Sequence, residues 1–259
     1  MSNLLRITFT PIEPGKLPFS YREEIQGLIY RLLPEELSRW LHDEGLPTAH
    51  GHWKPFVFSR LYGKLHPDTS TKTFFISGPL ELKVASPKQE IIEQIALALL
   101  RKRQLRLASL PLETAEVRLE RIEPPRKRSV VLVARSPITV FVKKGRRRHY
   151  FAAPEPEFAK RIATNLRAKA LALGLAREIA EALVKIEPLD KAPHNKKVER
   201  FKQLIIEGWM GRYRLEGPPE LAWVALTSGL GALGSQGFGF VEVVGGTRTG
   251  PDRQGGDRR

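Results

Sequence analysis

The stretch Gly229–Phe240, GLGALGSQGFGF, limits the fold more than any other part of this sequence. Glycine stands at 229, 231, 234, 237 and 239, with Gly245 just beyond. Each glycine costs conformational entropy and brings no side chain to pack. Such a run therefore marks a place where backbone approaches something closely, often a phosphate. Gly229, Gly231 and Gly234 spell the G-x-G-x-x-G spacing of a dinucleotide loop. That loop, however, follows a strand, opens a helix and is answered by an acidic residue about 20 positions later. Here the order is reversed. A helix-like run, Pro218–Ser228, precedes the glycines and a strand-like run, Phe238–Val244, follows them. Too little chain remains for a crossover unit, so the topology argues against a dinucleotide-dependent enzyme, the third reading. No Lys-Ser/Thr pair follows either, which excludes a phosphate loop of the Walker kind. The run is a connection from a last helix to a last strand.

The rest of the chain supplies the elements that such a connection completes. Leu5, Ile7 and Phe9 alternate with polar residues and predict a strand over Leu4–Thr10. Ile25, Leu28, Ile29, Leu32 and Leu33 then recur at helical spacing. Ser20 and Glu23 have the spacing of a capping box. Pro34 breaks this helix and starts a second segment carrying Leu37, Trp40 and Leu41, with Gly45 as its stop. Lys54–Arg60 and Lys72–Gly78 predict strands joined through a His/Pro/Asp turn. Ser86-Pro87-Lys88-Gln89 opens a helix bearing Ile91, Ile92, Ile95, Leu99 and Leu100, and Glu113–Ile122 predicts a strand. This is the β-α-β-β-α-β order of a ferredoxin-like domain.

The order repeats. Val130–Val133 and Ile138–Val142 are β-rich, and Lys144-Gly145 turns a hairpin into Arg146–Ala152. Phe158, Ile162, Leu166, Ala170 and Leu173 predict a helix. Ala176–Pro188 reads as helix at its start and strand at its end. Val198–Ile206 and Trp209–Leu215 predict paired strands. The expected fold class is α+β, with two tandem ferredoxin-like (RRM-like) domains. Residues 1–123 form the first and 124–129 a linker. Residues 130–246 form the second, with the glycine-rich loop, and 247–259 a polar, disordered tail.

Charge points to the partner. The 259 residues carry a net charge of +15, with a pI near 10.2. The basic residues cluster, at Arg101–Arg103, at Arg126, Lys127 and Arg128, and at Lys143, Lys144, Arg146, Arg147 and Arg148. A clustered positive surface favours a polyanion. The clusters do not lie on an amphipathic helix, and no apolar run reaches the ~18 residues of a membrane span. The N-terminus lacks the layout of a signal peptide. Cysteine is absent, which excludes disulfides, thiolate metal sites and Cys nucleophiles and fits a cytoplasmic protein. Oligomeric state stays open, since exposed strands permit a monomer or a homodimer.

Six histidines are available for chemistry: His42, His50, His52, His66, His149 and His194. His50-x-His52 lacks accompanying carboxylates, so no metal site is expected and no cofactor is called for. His42 and Tyr30 lie off the apolar stripes of their helical segments, and Lys54 begins the next strand. In a compact strand–helix–strand unit these three come together. Imidazole titrates near neutrality and serves as acid or base, and Lys supplies a point charge. Such a set suits metal-free RNA cleavage, with a 2′-hydroxyl as nucleophile. On spacing alone, an ordinary solvated surface accounts for the same three residues more readily.

FSYREEIQGLIYRLLP, LHDEG and HWKPFVFSRLYG, together with GLGALGSQGFGFVEVV, resemble the CRISPR-associated endoribonucleases of the RAMP superfamily that process precursor crRNA. The resemblance is carried by the two ends of the chain. The glycine run marks the superfamily, and the helix with Leu41-His42-Asp43 marks the processing nuclease. The resemblance implies metal-independent cleavage of CRISPR repeat RNA, leaving a 5′-hydroxyl and a 2′,3′-cyclic phosphate. The family's helix histidine matches His42, the general acid or base, and Tyr30, as a partner base, and Lys54, as a transition-state cation, match a Tyr and a Lys that complete the site in some members. Others use different partners, and some lack the histidine and only bind RNA. The implied RNA-binding surface takes in Arg126–Arg128, the hairpin Lys143–Arg148, and Gly231, Gly234, Ser235, Gln236, Gly237 and Gly239. A non-catalytic RNA-binding subunit of a CRISPR effector complex would share the fold, the charge and the glycine run, and is the alternative.

Overall fold

The computed structural model describes residues 2–49, 51–145, 147–190 and 195–245. Arg146, His50, His194 and the expected tail 247–259 lie outside the described residues.

The first half opens with β1 (Leu4–Pro11) and the short β2 (Gly15–Pro18), as the alternation of Leu5, Ile7 and Phe9 predicts. Two helices follow, α1 (Arg22–Leu32) and α2 (Glu35–Asp43), with Pro34 as the N-cap of the second. The expected Ser20–Glu23 capping box does not form. Tyr21 is the N-cap of α1, and the Glu23 carboxylate is occupied elsewhere: it accepts from the backbone N–H of Lys202. A small hairpin, β3 (Leu46–Thr48) and β4 (Gly51–Trp53), comes next, then the two-residue β5 (Val57–Phe58) and β6 (Tyr62–Asp68). The strand expected over Lys54–Arg60 is thus mostly irregular. β7 (Thr73–Ala85) is longer than expected because β1, β2, β5 and β6 all pair with it. Helix α3 (Gln89–Arg101), β8 (Gln104–Leu107) and β9 (Leu110–Glu120) close the half. Ser86 does not cap α3 from the expected box; Lys88 is the N-cap, and the Ser86 hydroxyl accepts from its N–H at 3.0 Å. The sheet is antiparallel, with β1 between β7 and β9. Ile25, Leu28 and Ile29 of α1 and Ile91, Ile92, Ile95 and Leu99 of α3 bury their stripes on one face of it.

The second half builds the same order. It runs β10 (Ser129–Ala134), a hairpin of β11 (Phe141–Lys144) and β12 (Arg147–Tyr150), then α4 (Pro156–Ala172), α5 (Arg177–Ala180) and β13 (Lys185–Pro188). Next are β14 (Lys196–Phe201), β15 (Leu204–Trp209), β16 (Arg212–Glu216), α6 (Pro219–Ser228) and β17 (Val241–Val243). The ambiguous run Ala176–Pro188 is both helix and strand, in the order read. The expected pairing of Val198–Ile206 with Trp209–Leu215 is replaced. The chain turns at Lys202, so β14 pairs with β15 as a separate hairpin, while β16 joins the main sheet. That sheet runs β13-β16-β10-β17. The chain is therefore two tandem ferredoxin-like units.

Both units meet along the glycine run. Val57, Ala85, Leu4 and Phe240 form a buried cluster shared by the two. Glu242 accepts from Lys83 and from Arg135, each at 2.7 Å. On α1, Arg22 is buried, pairs with Glu199 of β14 and donates to the carbonyl of Gly237. Gln26 donates to the carbonyl of Ser235 at 2.8 Å. Removing one member of a buried ion pair strands the other charge, so Arg22 fixes how α1 sits on the second half.

Candidate active site

The site is assembled where α2 ends. Glu44 and Gly45 both return their N–H groups to the carbonyl of Trp40, and Gly45 takes φ +68° to let the chain reverse. A Cβ at Gly45 would meet the Trp53 carbonyl oxygen at 2.6 Å, so only glycine lets the β3–β4 hairpin close onto the helix. The hairpin is held there by His52, whose Nδ1 lies 2.6 Å from the carbonyl oxygen of Glu44. Closure carries Lys54 to the helix end, where its ammonium donates to the backbone carbonyl of His42. A cation at a helix C-terminus is favourable, because the last carbonyls lack partners and carry the negative end of the dipole.

The three residues expected to converge do so. The Tyr30 and His42 rings lie edge to face, 6.2 Å between centroids. Lys54 Nζ stands 6.0 Å from the Tyr30 centroid. The imidazole is exposed and Tyr30 is half-buried against Phe56, with ring centroids 6.0 Å apart. Burial pushes the Tyr30 phenol up to about 12. Burial also lowers Lys54, countered by Asp43 and reinforced by the charge of Lys202. Asp43 Oδ1 lies 2.6 Å from His42 Nδ1. With Nδ1 engaged by that carboxylate, Nε2 is the ring nitrogen that can exchange a proton with substrate.

Sequence reading missed Asp43 and Lys202 as parts of this site. Asp43 was signalled by its adjacency to His42. Lys202 had no usable signal, because the expected strand Val198–Ile206 ran straight through it. In fact Lys202 forms the hairpin tip at φ +53°, pinned by Glu23, and brings a second-half cation toward Lys54.

The basic clusters separate. Arg126, Lys127 and Arg128 are exposed before β10, and Arg128 lines a surface cleft of about 300 Å³ with Leu183, Lys185 and Glu216. Lys143 faces Arg148 and Lys144 faces Arg147 across the β11–β12 hairpin. Like charges directly opposite destabilise a hairpin. This one is steadied by Arg148 over the Phe141 ring at 4.5 Å and by the Tyr150 hydroxyl donating to the Ile205 carbonyl at 3.0 Å.

Within the glycine run, Gly231, Gly237 and Gly239 are buried. The Gly237 and Gly239 amides donate to the carbonyls of Gly234 and Pro137, both at 2.9 Å. A Cβ at Gly237 would overlap the Phe58 ring, and one at Gly239 the Leu230 carbonyl. Gly237 thus serves close packing of the two units, and Gly231 and Gly239 close packing within the second. Gly234, Ser235 and Gln236 form a half-buried 3-10 turn and are the part of the run left toward the surface.

Comparison with known proteins agrees with this architecture. Residues 120–243 match the family described as CRISPR associated protein Cas6, C-terminal. The second half of the chain is thus similar to a Cas6 C-terminal domain. Whole-chain similarity to solved structures extends the likeness of fold to the first half. A structure described as a Cas6-related gene from Pyrococcus furiosus is 18% identical, with a TM-score of 0.77, covering 95% of this chain and 100% of the other. One described as CRISPR associated protein Cas6 is 20% identical, TM-score 0.73, covering 94% and 100%. One described as an RAMP protein binding different RNA substrates is 18% identical, TM-score 0.74, covering 93% and 99%. No curated protein matches the chain by sequence. No helix among the described residues is long and apolar enough to cross a membrane. Among the same residues, no three His, Asp or Glu side chains gather as metal ligands would.

Proposed function

We propose that this protein binds CRISPR repeat RNA and cleaves precursor crRNA within the repeat. The observation that carries the proposal is the convergence of Tyr30, His42 and Lys54 at one helix end, in a chain with the Cas6 fold. The chemistry follows from what those groups offer. The 2′-hydroxyl next to the scissile bond gives its proton to Nε2 of His42 and attacks the phosphorus. The 5′-oxygen leaves and takes a proton back from the imidazolium. The products are a 2′,3′-cyclic phosphate and a 5′-hydroxyl. His42 moves a proton through Nε2, oriented by Asp43. Lys54 offsets the charge that develops on the crowded phosphorane. Burial pushes the Tyr30 phenol further above neutrality than an ordinary tyrosine, so we assign it as a hydrogen-bond donor and ring wall and not as the partner base. None of these roles calls for a metal ion or another cofactor.

RNA binding draws support from the exposed Lys143, Lys144 and Arg147 of the β11–β12 hairpin and from Arg126–Arg128. Duplex RNA is recognised mainly through shape and phosphates, which suits a surface of this kind. Incubating the protein with end-labelled repeat RNA in EDTA tests the proposal. One cut, with a cyclic phosphate on the upstream fragment, is expected. Tight binding without cleavage would favour the non-catalytic effector-complex subunit, and strict dependence on Mg²⁺ would contradict the mechanism.

A further inference from the structure

Lys169 lies on α4, far in sequence from the site, with only 3% of its surface exposed. A buried ammonium is costly unless its partners are well placed. Its partners here are specific. Nζ donates to the carbonyl of Gly229 at 2.7 Å and of Ser228 at 3.1 Å, with Gly231 at 3.4 Å. These oxygens are at the end of α6 and the start of the glycine run, where a helix leaves carbonyls unpaired. The Trp53 ring also faces Nζ, 5.6 Å away. Trp53 ends β4 and immediately precedes Lys54. The backbone between Trp53 and Lys54 is thus gripped from two sides. Gly45 closes on it from α2, and Lys169 holds the Trp53 ring from the second half.

We propose that Lys169 is a positioning residue: it ties the glycine run to the β3–β4 hairpin through the face of Trp53 and so sets Lys54 against His42. This inference rests on the assignment of Lys54 as the cation of the site. A lysine that only capped α6 would be satisfied by the carbonyls and would have no bearing on Lys54. The ring contact in the residue next to Lys54 is what a plain cap does not require.

The test is a double-mutant cycle in the full-length protein, with Lys169→Met and Lys54→Met made singly and together. Three quantities are read for each: the single-turnover cleavage rate on labelled repeat RNA, the Kd for that RNA, and the thermal midpoint. Small misplacements of a catalytic group cost up to about 10²-fold. Lys169→Met should therefore slow cleavage by roughly 10-fold to 10²-fold without a matching loss of RNA affinity. Added to Lys54→Met, it should produce no further slowing. Trp53→Leu, at a half-buried position, should reproduce the effect, while Trp53→Phe, which keeps an aromatic face, should retain most activity. Should Lys169→Met fail to fold, the Trp53→Leu and Lys54→Met pair completes the cycle in its place. Equal slowing by Lys169→Met in both backgrounds would overturn the inference and leave the role of Lys54 standing. A Lys54→Met variant cleaving at the wild-type rate would overturn the role of Lys54, and the inference with it.

Discussion

The Lys54 ammonium donates to the backbone carbonyl of His42, so the cation and the imidazole of the site are fixed to one residue of α2. The contact settles Lys54 at the negative end of the helix and near the exposed ring. Losing a transition-state cation or donor costs a rate factor on the order of 10² to 10³. Lys54→Met should therefore slow single-turnover cleavage by about that factor and change RNA affinity by much less. Rapid-quench kinetics with a parallel filter-binding titration would check this. Equal losses in rate and affinity would make Lys54 a binding residue instead.

The β11–β12 hairpin places four described cations in two facing pairs. That arrangement is disfavoured in isolation and relieved by a polyanion. Each phosphate contact to a single strand contributes a slope of about −0.7 to log K against log salt. Replacing Lys143, Lys144, Arg147 and Arg148 with Ala should weaken RNA binding and flatten that slope. An unchanged slope would remove the hairpin from the binding surface.

Gly239 stands at φ +80°, with the Leu230 carbonyl where a Cβ would go. Gly239→Ala should destabilise the fold by roughly 1–3 kcal/mol or more, the scale of stored backbone strain. Gly145 also has positive φ, but a Cβ there meets nothing. Asn tolerates that conformation, so Gly145→Asn should be close to neutral. Thermal melts of the two variants give the comparison. Equal losses would mean that packing against Leu230 is not what the glycine run is for.

Burial pushes the Lys169 ammonium down to about 7, against carbonyls and a ring face that favour the cation. The sign of the linkage follows. Above pH 7 the folded state releases this proton, while the unfolded chain keeps it up to the ordinary lysine value of 10.5. The unfolded state binds more protons in that window, so stability rises with pH there. Relative to Lys169→Met, the wild-type protein should gain stability between about pH 7 and pH 10. Denaturant midpoints across that range would show it, and a difference that stays flat across it would mean that the carbonyl cage keeps the charge.

Much of this was legible in the sequence because it rests on periodicity. The alternation in β1, the stripes of α1 and α3, and the strand after the glycine run each announce an element, and their order repeats. The convergence of Tyr30, His42 and Lys54 was legible because topology brings a helix end beside the next strand. What could not be read depends on pairing between distant segments. β7 runs long because four other strands lean on it. Lys202 turns the chain because its hairpin is pinned by Glu23, a contact that also takes Glu23 from its expected capping box. Lys169 looked like one more lysine, because nothing local shows that its side chain ends among carbonyls of another helix.

The central claim is that His42 moves a proton in the cutting of repeat RNA. The direct measurement is the single-turnover rate of His42→Ala on labelled repeat RNA in EDTA, beside its RNA affinity. Loss of general acid–base help costs about 10² to 10⁴ in rate. The expected result is a rate lower by that order, with Kd nearly unchanged and the same cut site for any residual product. Cleavage by His42→Ala at the wild-type rate would contradict the account.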